Sequence, residues 1–547
     1  MKLVPVAEMR AIEQEADADG LSYSQMMENA GHGLADEIQI LVYAEDEERE
    51  ALGLVGPGNN GGDTLVALAH LAADGWRVRA YLIRRKVDPE KTGAGGDALV
   101  ERLKKEGGEI ILAENDANFD KLSAFVSTAD VVVDGVLGTG VQLPLKADVA
   151  KVLAAVNKAM TELSWPPYVV AVDCPSGVDS DTGEAADDAI PASVTVCMAA
   201  VKQGLLKFPA FELAGELRVV DIGLTDEVKS WKKIKHFVAD EDTVEDILPL
   251  RPADSHKGTF GTALIAAGSV NYIGAPLLAG KAAYRVGAGL VQMAVPSPVQ
   301  IAIAGHFPEA TWVMLPQEMG VIAESAADVL LKSYERATAL LIGPGLGTED
   351  STKLFIENLL KGKAGVKKTS GRIGFIHEES GSKDEKTASV PPMVVDADGL
   401  RLLAKIDGWA KLLPAGTILT PHPGEMAALT GLEKDAIQAD RLATALKYAK
   451  EWGHVVVLKG AFTVIAAPDG RATFIPVATP ALARAGTGDV LAGLIVGLRA
   501  QGVAAYESAV AGAWIHAQAG LYAAEKVGAE ASVLAGDVLD AVADVLW

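Results

Sequence analysis

Positive charge is scarce in this chain: 49 Lys and Arg stand against 73 Asp and Glu over 547 residues, a formal net charge of −24. Binding nucleic acid by neutralising phosphates needs a basic cluster, and only short groups such as Lys367-Lys368 occur, which argues against a nucleic-acid partner. Cysteine is nearly absent. Cys174 and Cys197 lie in apolar, strand-like contexts without metal-ligand spacing; they read as buried thiols in a reducing compartment, not as a disulfide scaffold. No apolar run reaches the ~20 residues that span a bilayer. The start, Met1-Lys2-Leu3-Val4-Pro5, lacks a charged-then-apolar signal pattern. The expectation is a cytoplasmic protein with no membrane partner. Aromatics are only 5%, while 49% of residues are hydrophobic and 56 are glycine, and no internal repeat is visible. That balance fits an Ala/Val/Gly-rich α/β enzyme, and the length fits two large domains.

The strongest local signal is Ala485-Gly486-Thr487-Gly488-Asp489-Val490-Leu491-Ala492-Gly493. Gly486 and Gly488 permit a tight turn, and the apolar run from Val490 reads as a helix whose positive end faces an anion. Asp489 beside such a phosphate seat is placed to take a proton from an attacking hydroxyl, while backbone N–H groups hold charge developing on phosphoryl oxygens. It is the first candidate for a catalytic residue.

The front half alternates helix and strand. Helices are expected over 6–19 and 24–41, the latter with Met26, Met27, Ala30, Leu34 and Ile38 at near-helical spacing. The strand 51–55 leads into Gly56-Pro57-Gly58-Asn59-Asn60-Gly61-Gly62-Asp63 and a helix over 64–73. Strand, glycine-rich turn and helix place N–H groups under a phosphate at the crevice of a parallel sheet, although the spacing is not Gly-x-Gly-x-x-Gly. Two further strands, 129–134 and 168–172, end in Gly135–Pro144 and in Asp173-Cys174-Pro175-Ser176-Gly177. Three strand ends thus gather where open α/β sheets bind ligands.

The polar stretch 225–235 reads as a linker, which places domains at 1–228 and 236–547. Beyond it, strands at 262–267, 340–342, 394–395, 417–420 and 455–458 run into Gly268-Ser269, Gly343-Pro344-Gly345-Leu346-Gly347, Asp396-Ala397-Asp398, Pro421-His422-Pro423-Gly424-Glu425 and Lys459-Gly460-Ala461-Phe462-Thr463. The small-residue helix 277–285 is expected to pack closely on a sheet. Residues 361–386 are polar, without sustained period, and read as an exposed insertion.

Two family resemblances account for these motifs. Asn59-Asn60-Gly61-Gly62-Asp63, Asp134 with the Gly138–Pro144 loop, and Asp173 to Gly177 resemble the NAD(P)H-hydrate epimerase domain over about residues 1–225. The resemblance implies that Asn60, Asp134 and Ser176 bind K⁺. It also implies that Asn59, Asn60, Gly61, Gly62, Asp63, Gly138, Thr139, Gly140, Val141, Gln142, Leu143, Pro144 and Asp173 contact the hydrated dinucleotide, Asp173 as acid/base. Thr64 stands where that family usually has a further Gly, and Gln203 replaces a commoner Pro; neither removes an oxygen ligand. The Gly-Thr-Gly-Asp segment resembles ribokinase-like small-molecule kinases, and Pro480-Ala481-Leu482-Ala483-Arg484 narrows this to the NAD(P)H-hydrate dehydratase branch over about 236–547. That likeness implies that Lys459, Gly460, Ala461, Phe462, Thr463 and Gly488 hold ADP or ATP with Mg²⁺. Ala275, Gly345, His422 and Asp489 would face the dinucleotide substrate.

The expected fold is α/β in two domains, a Rossmann-like three-layer αβα unit followed by a ribokinase-like one, in a chain that self-associates. The expected function is repair of hydrated NADH and NADPH: the front domain epimerises the R and S hydrates, and the back domain dehydrates the S form at the expense of ADP or ATP. The alternative is a sugar or vitamin alcohol kinase fused to a non-catalytic Rossmann-like module, which release of a stable phosphorylated product would favour.

Overall fold

The computed structural model describes residues 1–42, 49–85, 97–362 and 390–546. These divide into two compact units, Met1–His236 and Phe237–Trp547. Most of the expected insertion, from residue 363 onward, lies outside the described residues.

The first unit is a seven-stranded, wholly parallel sheet. Its spatial order is Glu109–Leu112, Arg77–Leu82, Glu50–Val55, Val131–Gly135, Tyr168–Val172, Val194–Met198 and Glu216–Val220. Its central strands are near-continuous Val/Leu/Ala runs, as a sheet buried on both faces requires. Alternate residues serve opposite faces. Ala51, Val55, Val131 and Val133 pack with the helices Val6–Ala18, Tyr23–Leu41 and Asn59–Ala73; Leu52, Leu54 and Val132 pack with Asp120–Val126 and Ala147–Thr161. Each fully buried Leu or Val contributes roughly 1.5–3 kcal/mol. The order reverses between Glu50–Val55 and Val131–Gly135, so the loops after these strands open a crevice at a topological switch point.

Two expectations are corrected here. Asn59 to Asp63 form the first turn of the helix, not a loop; the connecting turn is only Gly56-Pro57-Gly58. Gly61 is there for close approach, because a Cβ would lie 2.1 Å from the Gly56 carbonyl oxygen. Thr64 donates its hydroxyl to the Asn60 carbonyl at 2.7 Å, which a glycine could not do. The stretch 225–235 is not a free linker. Val228 and Ile234 are buried in the core of the first unit, and Glu15 accepts hydrogen bonds from the Lys229 and Ser230 amides at the start of the helix Lys229–Lys232.

The second unit holds a ten-stranded sheet. From Thr311–Leu315 through Leu290–Pro296, Thr262–Ala266, Ala339–Ile342, Met393–Val395 and Ile418–Leu419 to Val455–Leu458 it is parallel; Val464–Ala466, Ala472–Phe474 and His236–Val238 complete it. Ala263, Ile265 and Leu341 face a core shared with Gly274–Arg285, Thr487–Ala500 and Ala505–Val527, while Leu264, Ala266, Leu340 and Ile342 face Ala326–Lys332 and Asp350–Leu360. Both units are therefore three-layer αβα sandwiches. The small residues of Gly274–Arg285 meet a helix rather than chiefly the sheet: a Cβ on Gly493 would sit 2.3 Å from the Ala279 carbonyl oxygen, and one on Gly497 2.8 Å from that of Ala283. This glycine seam sets the depth of Thr487–Ala500 and hence the position of its amino end. Among the described residues, no helix is long and apolar enough to cross a membrane.

Candidate functional sites

A cleft of about 750 Å³ opens at the switch point of the first unit. Of the residues expected there, Asn59, Asn60, Asp63, Gly138, Thr139, Gly140, Val141 and Asp173 line it. Gln142 instead lines an adjoining cavity of about 150 Å³. Leu143 and Pro144 line neither, and Gly61 and Gly62 serve packing, with Gly62 against Met27.

Asp173 follows the strand Tyr168–Val172 with φ +66°, a left-handed conformation that is uncommon for a side-chain-bearing residue. Its Oδ1 accepts from the Met198 amide at 2.9 Å and from Lys202 Nζ in a buried ion pair. The Lys202 ammonium also donates to the Met198 and Ala200 carbonyls, each at 3.0 Å. Burial opposes its charge, yet Asp173 raises its pKa above the usual lysine range. Around this pair stand two more carboxyls. Burial pushes Asp63 well above the usual carboxylate range, with Asp173 and Glu13 adding to the rise; burial also raises Glu13. Lys202, Glu13 and Arg10 line the cleft but carried no role in the sequence expectation. A lysine inside the apolar run 194–206 was the available signal, since lysine is almost never fully buried unless paired.

Beneath the strand ends, Asp134 is fully buried. Its carboxylate accepts from Ser176 N at 2.8 Å, Ser176 Oγ at 2.6 Å and, more distantly, Val136 N at 3.4 Å. Asn60 Nδ2 donates to the Val172 carbonyl and, at 3.5 Å, to that of Leu137, while Ser176 Oγ accepts from Leu137 N at 2.8 Å. Burial raises the Asp134 pKa, and among the described residues no basic side chain pairs with it. A sealed carboxylate among amide, hydroxyl and carbonyl oxygens is a donor set suited to a hard cation.

In the second unit the candidate residues gather at the carboxyl edge. Gly486 caps the helix Thr487–Ala500 with φ +93°, and Thr487 Oγ1 donates to the Leu482 and Arg484 carbonyls at 2.9 Å each, which closes the turn. Asp489 sits half-buried in the first turn of that helix. Burial, assisted by Asp396 and opposed by Lys459, pushes its pKa up to about 7. Lys459 Nζ lies 2.7 Å from Asp396 Oδ1 and 3.8 Å from Glu425 Oε2, and 3.6 Å from where a Cβ on Gly488 would be. That ties the lysine to the glycine turn. Burial works against the Lys459 charge, but Asp396 and Glu425 carry its pKa above the usual value. Asp396 also accepts from Thr420 Oγ1 at 2.6 Å.

His422 is the amino cap of the helix Pro423–Thr430: its Nδ1 accepts from the Gly424 and Glu425 amides at 2.9 and 3.2 Å, and Glu425 Oε2 accepts from the His422 amide at 3.0 Å. Nδ1 is thus an acceptor, and burial lowers the ring's pKa, so the imidazole is neutral with Nε2 3.3 Å from Glu425 Oε1. Gly345, at φ +63°, is packed so tightly that a Cβ would fall 3.1 Å from Ala275 Cβ and 2.6 Å from Tyr272 Cβ; this brings the two expected dinucleotide-facing positions together. Asp398, from the helix Asp398–Leu403, accepts from the Gly347 amide at 2.9 Å. Asp396, Asp398 and Glu425 belong to motifs the sequence displays, yet their convergence on Lys459 and Asp489 appears only in the fold.

Two αβα units with carboxylate-and-lysine clusters at the carboxyl edges of parallel sheets, one beside a Gly-Thr-Gly-Asp helix start, define an α/β protein with two candidate sites. Comparison narrows the class. A family model described as YjeF-related protein N-terminus matches residues 23–204, and one described as NAD(P)H-hydrate dehydratase matches residues 263–368 and 374–543. The bifunctional NAD(P)H-hydrate repair enzyme Nnr of Moorella thermoacetica is 36% identical over 548 residues, covering 100% of this chain and 97% of that protein. The protein of the same name from Salinibacter ruber is 36% identical over 536 residues, with 96% and 92% covered. A crystal structure of ADP/ATP-dependent NAD(P)H-hydrate dehydratase from Bacillus subtilis, co-crystallized with ATP/Mg²⁺, is 30% identical and covers 56% of this chain and 97% of that one, with a TM-score of 0.44. The chain belongs to the bifunctional NAD(P)H-hydrate repair enzyme family.

Proposed function

We propose that this chain repairs hydrated NADH and NADPH with both of its sites. The second unit phosphorylates the ring hydroxyl of the S hydrate from ADP or ATP, and loss of phosphate together with a proton from the adjacent ring carbon then restores the reduced ring. The observation that carries this reading is Asp489, a half-buried carboxyl at a helix amino end, with Lys459 against the same turn. A base with pKa near working pH is ionised often enough to act and basic enough to draw the hydroxyl proton. The amides of the Gly486–Asp489 turn would hold the developing charge on the phosphoryl oxygens, and Lys459, with Gly460 to Thr463, the nucleotide. Gly345, Ala275 and the neutral His422 would form the wall against the nicotinamide. Phosphorylation converts a poor leaving group into a good one, which explains a net dehydration on a kinase-like fold. Mg²⁺, bound with the nucleotide, would neutralise phosphate charge, and Asp396 and Asp398 supply hard oxygen atoms of the kind it takes.

The first unit would epimerise the hydrate, with Asp173 as acid/base in the 750 Å³ cleft. Asn60, Asp134 and Ser176 would hold K⁺, whose fixed positive charge would offset the buried Asp134. A cytoplasmic, self-associating enzyme is part of the same reading. The test is recovery of NADH absorbance from mixed R and S hydrates on adding protein, Mg²⁺ and either nucleotide. Complete recovery is expected. Recovery that halts at the S fraction would remove the epimerase, and accumulation of a stable phosphorylated product would favour the simple kinase.

A further inference from the structure

The first-unit cleft carries more acid than one base requires. Asp173 Oδ1 is saturated by Lys202 and the Met198 amide, while Oδ2 has no hydrogen-bond partner among the described residues. Lys202 spends its three N–H bonds on Asp173, Met198 and Ala200, so it has none left for a ligand. It is a positioning residue. Asp63, from the first turn of Asn59–Ala73, is 7% exposed and lines the same cleft, yet no donor among the described residues reaches its carboxyl. The charged groups facing it are Asp173 and Glu13, which repel its ionised form, and Lys202, already committed; Arg10 stands beside Glu13. A buried carboxyl that faces the cleft with two acidic neighbours and no hydrogen-bond donors keeps its proton and is placed to give it to a ligand, while Asp173, ion-paired with Lys202, stands beside it as an acceptor.

We propose that Asp63 is the proton donor of the epimerisation and Asp173 its partner base, an assignment that rests on reading this cleft as the epimerase site. In this step the C–O bond of the hydroxyl-bearing ring carbon breaks while the ring C–N bond stays intact. The oxygen leaves as water with the Asp63 proton, and the ring-nitrogen lone pair forms a C=N iminium. Water adds to the opposite face, its proton passes to Asp173 Oδ2 as the new C–O bond forms, and the C=N electrons return to nitrogen. One proton moves from Asp63 to Asp173, and in the reverse direction the two exchange roles.

The experiment follows separated R and S NADH hydrates by chromatography without nucleotide, so that the second unit is silent, in wild type, Asp63→Asn and Asp63→Glu. Asp63→Asn is expected to lose about 100-fold or more in kcat with KM held within about threefold, and Asp63→Glu to regain part of the rate. The wild-type rate falls at alkaline pH as Asp63 ionises, and the residual Asp63→Asn rate lacks that limb. An unchanged thermal transition shows that the variant is folded. An active wild type matched within about threefold by Asp63→Asn, or an alkaline limb that survives the substitution, overturns the assignment alone. A wild type no faster than the protein-free control overturns the epimerase reading and the assignment with it.

Discussion

Replacing Asp489 by Asn is expected to abolish dehydration while making the protein more stable at neutral and alkaline pH. Burial raises the carboxyl from 3.8 to about 7 in the fold. Between those values the native state holds a proton that the unfolded chain has released, so wild-type stability falls as pH rises through this window and is flat above about 7. At 1.36 kcal/mol per unit the full shift corresponds to about 4 kcal/mol, and partial exposure of the group reduces the expected gain to about 2–4 kcal/mol. The Asp489→Asn protein, whose amide does not titrate, has no such dependence. Urea unfolding of both proteins from pH 4 to 8 should therefore show curves that start together and separate until about pH 7. In parallel, wild-type kcat/KM with S hydrate should drop about tenfold per unit below pH 7, because only the ionised form accepts the hydroxyl proton. Equal stability of variant and wild type at pH 8, or an Asp489→Asn enzyme that keeps a tenth of the wild-type rate, would refute the reasoning.

Lys459→Met should raise the nucleotide KM and leave the buried Asp396 without its counter-ion, at a cost of about 3–5 kcal/mol by denaturant unfolding; an unchanged nucleotide KM would count against the phosphate role. Gly493→Ala drives a Cβ to 2.3 Å from the Ala279 carbonyl, so the Thr487–Ala500 helix must shift and dehydration should fall while epimerisation persists, measured in the two separate assays. Asp134→Asn removes the buried charge beneath the front cleft, and any K⁺ stimulation of epimerisation seen in wild type should vanish; stimulation that survives would place the cation elsewhere.

Legibility in the sequence followed the range of each interaction. The turn before Val490, the strand-end glycine loops and the alternation of strand and helix are local, and each corresponds to an element of the fold. Asn59 to Asp63 deceived because turn-type residues also satisfy the first turn of a helix, where Gly61 answers to the Gly56 backbone and Gly62 to the Met27 side chain. The polar 225–235 stretch hid two buried anchors, Val228 and Ile234, among its charges. Glu13 and Lys202 were beyond reach for another reason: 189 positions apart, they share a cleft because Leu3–Val4, just before the first helix, pairs in parallel with Val201–Lys202.

The two sites use one device for different ends. In each, an aspartate just past a buried strand is paired with a lysine from beyond another strand: Asp173 with Lys202, and Asp396 with Lys459. Such pairs let a chain of net charge −24 keep cations at the two proposed sites. What differs is the valence left over. Lys202 is saturated by carbonyls at 3.0 Å, so its effect on a ligand passes entirely through Asp173. Lys459 has one close contact at 2.7 Å and a second carboxylate only at 3.8 Å, and it abuts Gly488, so it retains donors for a phosphate. Exchanging Lys for Arg should separate the two roles. At Lys459 a guanidinium keeps the charge and should retain part of the nucleotide affinity. At Lys202, which is buried, the larger planar fork cannot reproduce three convergent hydrogen bonds, so epimerisation should fail as completely as in Lys202→Met. Comparable partial activity at both positions would show that charge alone, not the count of free donors, distinguishes the sites.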